Sequence, residues 1–213
     1  MAAFLCSAGM ELIQGTPDLS ACLAAGEAID HGHPVVRETA AHLAKGVVDS
    51  HDYARAAYEF VRDAIPHAQD SGDPRVTWRA SDVLRQRTGI CHARAHALAA
   101  LLRAEGIPAA LCCQRLTRDA GGGHVAHGLV AVWFDGTWHR QDPRGNKPGV
   151  DAQFSLTGER LAFVPDPKSS EVDYPVLYAE PHPAVLAALK AAPDRPRLWK
   201  SLPDALRVRG GRR

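Results

Sequence analysis

The segment Cys91 to Glu105 constrains the fold most. Ala97, Leu98, Leu101 and Leu102 recur along it at helical spacing. The chain enters it from the turn Thr88-Gly89-Ile90 and leaves it at Gly106, a natural left-handed C-terminal position, with Pro108 blocking continuation. Ala109 to Leu116 follows as a strand, then the flexible turn Asp119 to Gly123, then His127 to Phe134 and Thr137 to Asp142 joined by Asp135-Gly136. Asp-Gly between two such runs is a strong local signal for a hairpin with a two-residue loop.

That loop fixes a register. It opposes Phe134 to Thr137, Trp133 to Trp138, Ala131 to Arg140 and Leu129 to Asp142. Side chains alternate along a strand, so His127, Leu129, Ala131 and Trp133 share a face with Trp138, Arg140 and Asp142. His127 then lies diagonal to Asp142, within hydrogen-bonding reach. His139 and Gln141 fall on the opposite face with Val130, Val132 and Phe134.

Cys91 opens the helix, where the first-turn amides lack intrahelical acceptors and the dipole is positive. Such a position favours thiolate over thiol. With His127 as proton shuttle and Asp142 as the carboxylate that orients it, the three form a candidate relay for acyl transfer through a covalent intermediate. The Cys91 amide is a candidate donor to the oxyanion of a tetrahedral intermediate, and Gln86 or Trp78 could supply a second. Arg140, on the same face as Asp142, would hold that carboxylate ionised or bind substrate.

The remaining segments frame this centre. Pro34 to Lys45 reads as a short helix, and Ser50 as the cap of a longer one with Ala54, Ala57, Tyr58, Val61 and Ile65 on its apolar face, ended by Pro66. Residues 67 to 77 read as a loop, and Ser81 as the cap of a short helix through Val83 and Leu84. Residues 1 to 33 form an irregular or weakly helical lead-in. Phe154, Leu156, Leu161, Phe163 and Val164 have mixed strand-like patterning, and a helix is expected from Pro183 to Lys190, so that residues 150 to 213 wrap the core or cover the cleft as a lid. His92 and His96 default to surface or cleft wall. Cys112 and Cys113 point to opposite faces of their strand, one of them buried.

Composition narrows the classes of function. A chain of 213 residues, 46% hydrophobic and 23% charged, is expected to form one domain. A net charge of +1 and a short terminal basic cluster, Arg207 to Arg213, argue against nucleic acid or anionic membrane as partners. No run approaches the roughly 20 apolar residues of a membrane span, and no secretory signal is legible. The five cysteines, Cys6, Cys22, Cys91, Cys112 and Cys113, are odd in number and irregularly spaced, which argues for a reducing cytoplasm rather than a disulfide framework. His124 and His127 sit on extended chain and His139 on the other face, so neither a metal nor a cofactor is expected.

The run from Thr88-Gly89-Ile90-Cys91-His92-Ala93-Arg94 to Gly106-Ile107-Pro108-Ala109 resembles the nucleophile helix of transglutaminase-like proteins. The resemblance continues through Ala80-Ser81-Asp82-Val83-Leu84, the His127 strand and Trp138 to Pro143, covering about residues 50 to 145. It implies an α+β, papain-like core whose Cys91 helix packs on an antiparallel sheet bearing His127 and Asp142. It also implies a reaction class, thiol-dependent transfer or hydrolysis at an amide or isopeptide bond of a peptide or protein, in a superfamily that includes crosslinking transglutaminases, cysteine peptidases and peptide glycanases. The small size is similar to a bacterial branch. Gly128, where many relatives carry a large residue, and Arg144-Gly145-Asn146-Lys147, in place of the common threonine after Asp-Pro, depart from the pattern and are expected at the site mouth. An inactive binding domain is the competing reading, and a metal-dependent hydrolase the third.

Overall fold

The computed structural model describes residues 3–5, 10–16, 18–118 and 122–207. Cys6, the expected turn residues Asp119, Ala120 and Gly121, and the basic tail from Val208 onward lie outside them. Strands β1 (Ala3–Leu5) and β2 (Glu11–Gln14) open the chain. Helices α1 (Pro34–Leu43), α2 (Ser50–Ala64), α3 (Ala68–Ser71) and α4 (Ala80–Gln86) lead to α5 (Cys91–Ala104). Strands β3 (Ala109–Thr117), β4 (His124–Phe134) and β5 (Thr137–Gln141) follow. Then come β6 (Val172–Asp173), β7 (Val176–Leu177), α6 (Pro183–Ala191) and α7 (Arg195–Ser201).

The architecture is α+β. An antiparallel sheet runs β5-β4-β3-β6, and a smaller one runs β1-β2-β7 with β2 parallel to β7. Helix α5 lies against β3 and β4 on one side and against α1, α2 and α4 on the other. Every residue from Cys91 to Arg103 is buried, so α5 is enclosed all round rather than amphipathic. Alanines let neighbouring backbones approach it, while Leu98, Leu101 and Leu102, all at 0% exposure, fill the space between. Each such leucine contributes about 1.5–3 kcal/mol on burial.

Full enclosure overturns the surface or cleft-wall expectation for His92 and His96. Burial pushes their pKa values down to about 3 and about 4, so both stay neutral. Their rings pair with the carbonyls of Ala126 and Trp78, at 3.0 and 2.8 Å. Cys112 and Cys113 are both buried, in separate clusters on the two faces of the sheet.

The β4–β5 hairpin has the register expected from its loop, with Phe134 opposite Thr137, Trp133 opposite Trp138 and Ala131 opposite Arg140. Asp135 and Gly136 have φ of 50° and 80°, as a two-residue loop matched to the strand twist requires. Val130, Val132 and Phe134 pack in the α5 cluster, and Leu129, Ala131 and Trp138 pack on the opposite face with Leu12 and Leu177.

Several local expectations are corrected. Residues 1 to 33 are not merely irregular, because β2 buries Leu12 and pairs with β7; a strand of four residues is too short to show a period. The cap of α2 is Asp49, which accepts the Asp52 amide at 2.9 Å, and not Ser50. The 67–77 loop contains α3, capped by His67. Helix α4 has no side-chain cap; the Ser81 amide donates instead to Asp30 Oδ1 at 3.0 Å. The 154–164 apolar residues form no strand among the described residues: Phe154 and Leu156 pack on the α5 cluster and Leu161 on the Leu12 cluster, while Val164 is exposed. No helix of the described residues is long and apolar enough to cross a membrane.

Candidate active site

The segment before α5 is held in place by backbone pairing. His67 and Gly89 form a parallel bridge, and the Ala68 amide donates to the Gly89 carbonyl at 3.0 Å. This delivers Cys91 to the first turn of α5, where Ile90 is the cap residue. The Cys91 side chain hydrogen-bonds to His127, and the Gly128 amide donates to its sulfur. His127 turns Nε2 to Asp142 Oδ2 at 2.9 Å, which leaves Nδ1 for the thiol.

Asp142 follows β5 and is fully buried. Besides His127, the Ala162 amide donates to Oδ2 at 3.1 Å and the Arg144 amide to Oδ1 at 3.1 Å. The Tyr58 hydroxyl on α2 donates to the Asp142 carbonyl at 2.9 Å. Phe163 stands edge-on to the His127 ring, centroids 5.3 Å apart, and shields the imidazole from solvent. Three donors and an aromatic cover fix both partners of the His127–Asp142 pair.

The electrostatics follow from this packing. Burial opposes an imidazolium at 127, but the Asp142 carboxylate and the Cys91 sulfur outweigh it and push the His127 pKa up to about 10. Burial raises the Cys91 thiol, yet the His127 charge, the His127 hydrogen bond and the Gly128 amide bring it below its ordinary value. Both shifts favour the thiolate–imidazolium form of the pair.

These groups open onto a cavity of about 450 Å³ that reaches from Cys91, His127, His67 and Arg144 to Leu116, Val125, Phe163, Val164 and Trp199. Part of the expected wrap or lid, residues 162–164 with Glu171 and Trp199, therefore walls the cavity. Arg118 holds α7 there through the carbonyls of Trp199 and Leu202.

Other expected site residues sit elsewhere. Trp78 packs beside α6 and α7 and under Lys190, and neither it nor Gln86 lines the cavity. Arg140 does not reach Asp142: it forms a two-pronged ion pair with Glu159, at 2.6 and 2.7 Å, and a third bond to Asp173. Gly128 is not at the mouth but faces α5. Arg144 is at the mouth, ion-paired with Asp70 on α3. The Cys91 amide donates to His67 Nε2 at 3.1 Å, so its acceptor is a side chain from a segment that reads as loop. His124 spends its ring nitrogens on Arg115 and the Ser169 carbonyl, and no group of three potential metal ligands occurs among the described residues.

The family model of the transglutaminase-like superfamily matches residues 37–143, half of the chain. The chain belongs to the transglutaminase-like superfamily. Among solved structures, a candidate cysteine protease from Cytophaga hutchinsonii is similar, with TM-score 0.51 and 18% identity over 61% of this chain and 43% of that one. That likeness shows the superfamily fold. The periplasmic domain of TgpA from Pseudomonas aeruginosa matches at TM-score 0.44 and 23% identity, over 57% of this chain and 46% of that one. A structure described as a TGase matches at TM-score 0.38 and 20% identity, over 61% and 34%. The chain thus spans less than half the length of these superfamily structures. No curated protein matches it.

Proposed function

We propose that the protein is a thiol-dependent acyl-transfer enzyme acting on an amide or isopeptide bond of a peptide or protein. Cys91 is its nucleophile, His127 its proton shuttle and Asp142 the orienting carboxylate. The observation that carries this reading is the bridging position of His127, bonded to a buried thiol on one side and to a buried carboxylate on the other. A buried carboxylate saturated with donors keeps the imidazole in one orientation and favours its protonated form.

In the proposed reaction the Cys91 thiolate attacks the carbonyl carbon, a C–S bond forms and the π pair moves onto oxygen. Collapse reforms the carbonyl and breaks the C–N bond, and the leaving amine takes the proton from His127 Nδ1. Water, or a second amine, then gives a proton to His127 as it attacks the thioester, and the thiolate departs. Hydrolysis is the preferred resolution. Leu116, Val125, Phe163 and Trp199 suit an apolar side chain flanking the bond. The reading calls on no cofactor.

Alkylation of Cys91 by iodoacetamide, followed against pH in the parent and in His127→Ala, tests it. The parent is expected to label well below pH 8, and the variant to lose that acid shift. An ordinary thiol profile in both proteins would favour a non-catalytic binding domain, while loss of activity to chelators would favour a metal-dependent hydrolase.

A further inference from the structure

We infer that His67 is the second oxyanion donor of this site, its Nε2–H acting beside the Cys91 amide; the inference rests on the acyl-transfer reading above. The ring lines the cavity next to Cys91 and is 6% exposed. Two backbone amides are aimed at it: that of Cys91 at Nε2, 3.1 Å away, and that of Gln69 at Nδ1, 3.3 Å away. A neutral imidazole has one lone pair and one N–H, and an imidazolium has no lone pair at all. Only one of the two amides can be accepted at a time.

Two tautomers share the site. With the proton on Nδ1, the ring accepts the Cys91 amide and abandons the cap of α3. With the proton on Nε2, the Gln69 amide keeps its acceptor, and Nε2–H and the Cys91 N–H converge from nitrogens 3.1 Å apart. Two donors aimed at each other repel, so the nitrogens must part from 3.1 Å before an oxygen about 2.9 Å from each can accept along both N–H directions. A carbonyl oxygen turning into an oxyanion as the Cys91 sulfur bonds its carbon meets that demand. The π pair becomes the accepting lone pair, no proton leaves His67, and collapse of the intermediate returns the pair to the carbonyl.

The surroundings favour this role. Burial and the neighbouring Arg144 and Arg94 hold the His67 pKa well below its ordinary value, so the ring stays neutral and free to exchange tautomers. The bridge between His67 and Gly89 ties the ring to the loop that ends in the nucleophile, so both donors are carried by one hydrogen-bonded unit. Neither Gln86 nor Trp78 offers this placement, since neither lines the cavity.

The test compares two reactions of the same thiol. Iodoacetamide displaces iodide at a tetrahedral carbon and creates no oxyanion, whereas p-nitrophenyl acetate must pass through one before nitrophenolate leaves. His67→Leu is expected to alkylate within a few-fold of the parent yet to release nitrophenolate in the burst about 100-fold more slowly. His67→Gln, whose amide can donate, is expected to recover part of that loss. Acylation and alkylation falling together in both variants, or acylation unchanged in His67→Leu, would overturn the inference. If His67→Leu lacks a cooperative thermal transition, His67→Phe, which also lacks a donor, takes its place, and an acylation-to-alkylation ratio equal to the parent's overturns it. A parent that alkylates as an ordinary thiol overturns the acyl-transfer reading itself, whatever the His67 variants do.

Discussion

Gly128 on β4 and His92 on α5 meet with no room for a side chain between them. A Cβ at position 128 would lie 2.4 Å from His92 Nδ1 and 2.9 Å from its Cα. His92 is enclosed and bonded to the Ala126 carbonyl, so the ring has nowhere to go. The close approach also lets the Gly128 amide reach the Cys91 sulfur. Gly128→Ala should therefore destabilise the fold by about 1–3 kcal/mol, as overpacking does, and slow Cys91 alkylation at pH 7. Urea unfolding measures the first effect, and an unchanged midpoint would mean that helix and strand have slack.

The Cys91–His127 pair has a pH signature in stability. In the unfolded chain the histidine loses its proton near 6.5 and the thiol near 9.0, while in the folded chain His127 holds a proton up to about 10 and Cys91 gives one up below its ordinary value. Where Cys91 is ionised and His127 protonated, the folded pair carries one proton, and the unfolded pair also carries one between about pH 6.5 and 9, so the pair adds no slope in that overlap. Above that window the unfolded pair binds fewer protons and stability falls as pH rises; below it the unfolded pair binds more and stability falls with pH. In Cys91→Ala, Asp142 still raises His127, so a stabilisation present below 6.5 is lost as pH climbs. The parent-minus-variant difference should grow across the window by up to about 1.4 kcal/mol per pH unit. Parallel profiles in urea unfolding would argue against an ion pair.

Asp142→Asn removes the charge that most strongly raises His127, leaving burial to lower it. On the proposed mechanism the alkaline limb of kcat/KM reports loss of the His127 proton and should move down from about pH 10. An alkaline limb that stays in place would assign it to another group.

Arg140, 1% exposed at its side chain, serves the fold rather than the substrate: it joins β5 to Glu159 and Asp173, 19 and 33 residues on. Arg140→Met leaves two partly buried carboxylates without their shared cation, at a cost of about 3 kcal/mol. Thermal unfolding should show the loss, with Cys91 alkylation of the folded fraction unchanged. Slower alkylation in that fraction would return Arg140 to the site.

Trp199 contributes a wall of the cavity from α7; Arg118 takes its carbonyl and also lies over its indole, 5.9 Å from the ring centroid. Trp199→Ala should raise KM for peptides with a bulky apolar residue at the cleaved bond by about tenfold, and leave kcat near the parent's. Equal losses across apolar and polar peptides would remove the indole from substrate recognition.

The helix of Cys91 and the hairpin could be read from the chain because their signals are local: a terminating glycine and proline, and an Asp-Gly loop that fixes which residues face each other. The contact that uses Gly128 left a trace too, since 128 has the same parity as Val130 and Val132, which face α5, although the resemblance pointed Gly128 to the site mouth. His67 was not, because its role depends on pairing with Gly89 across 22 residues, and its one local trace is a histidine in the cap position before Ala68. Arg140 has the right face but the wrong neighbours, because Glu159 and Asp173 arrive from irregular chain with no period to announce them.

The two-residue loop Asp135-Gly136 lies some distance from the thiol, yet it sets the spacing of the site. His127 and Asp142 sit on either side of that fold-back, eight residues before Asp135 and six after Gly136, and they meet on the diagonal because both counts are even. Most residues between them can therefore change identity far more freely than number, Gly128 and Arg140 being exceptions. One residue inserted there turns a face of the sheet inside out and carries the carboxylate away from the imidazole, with both side chains still present.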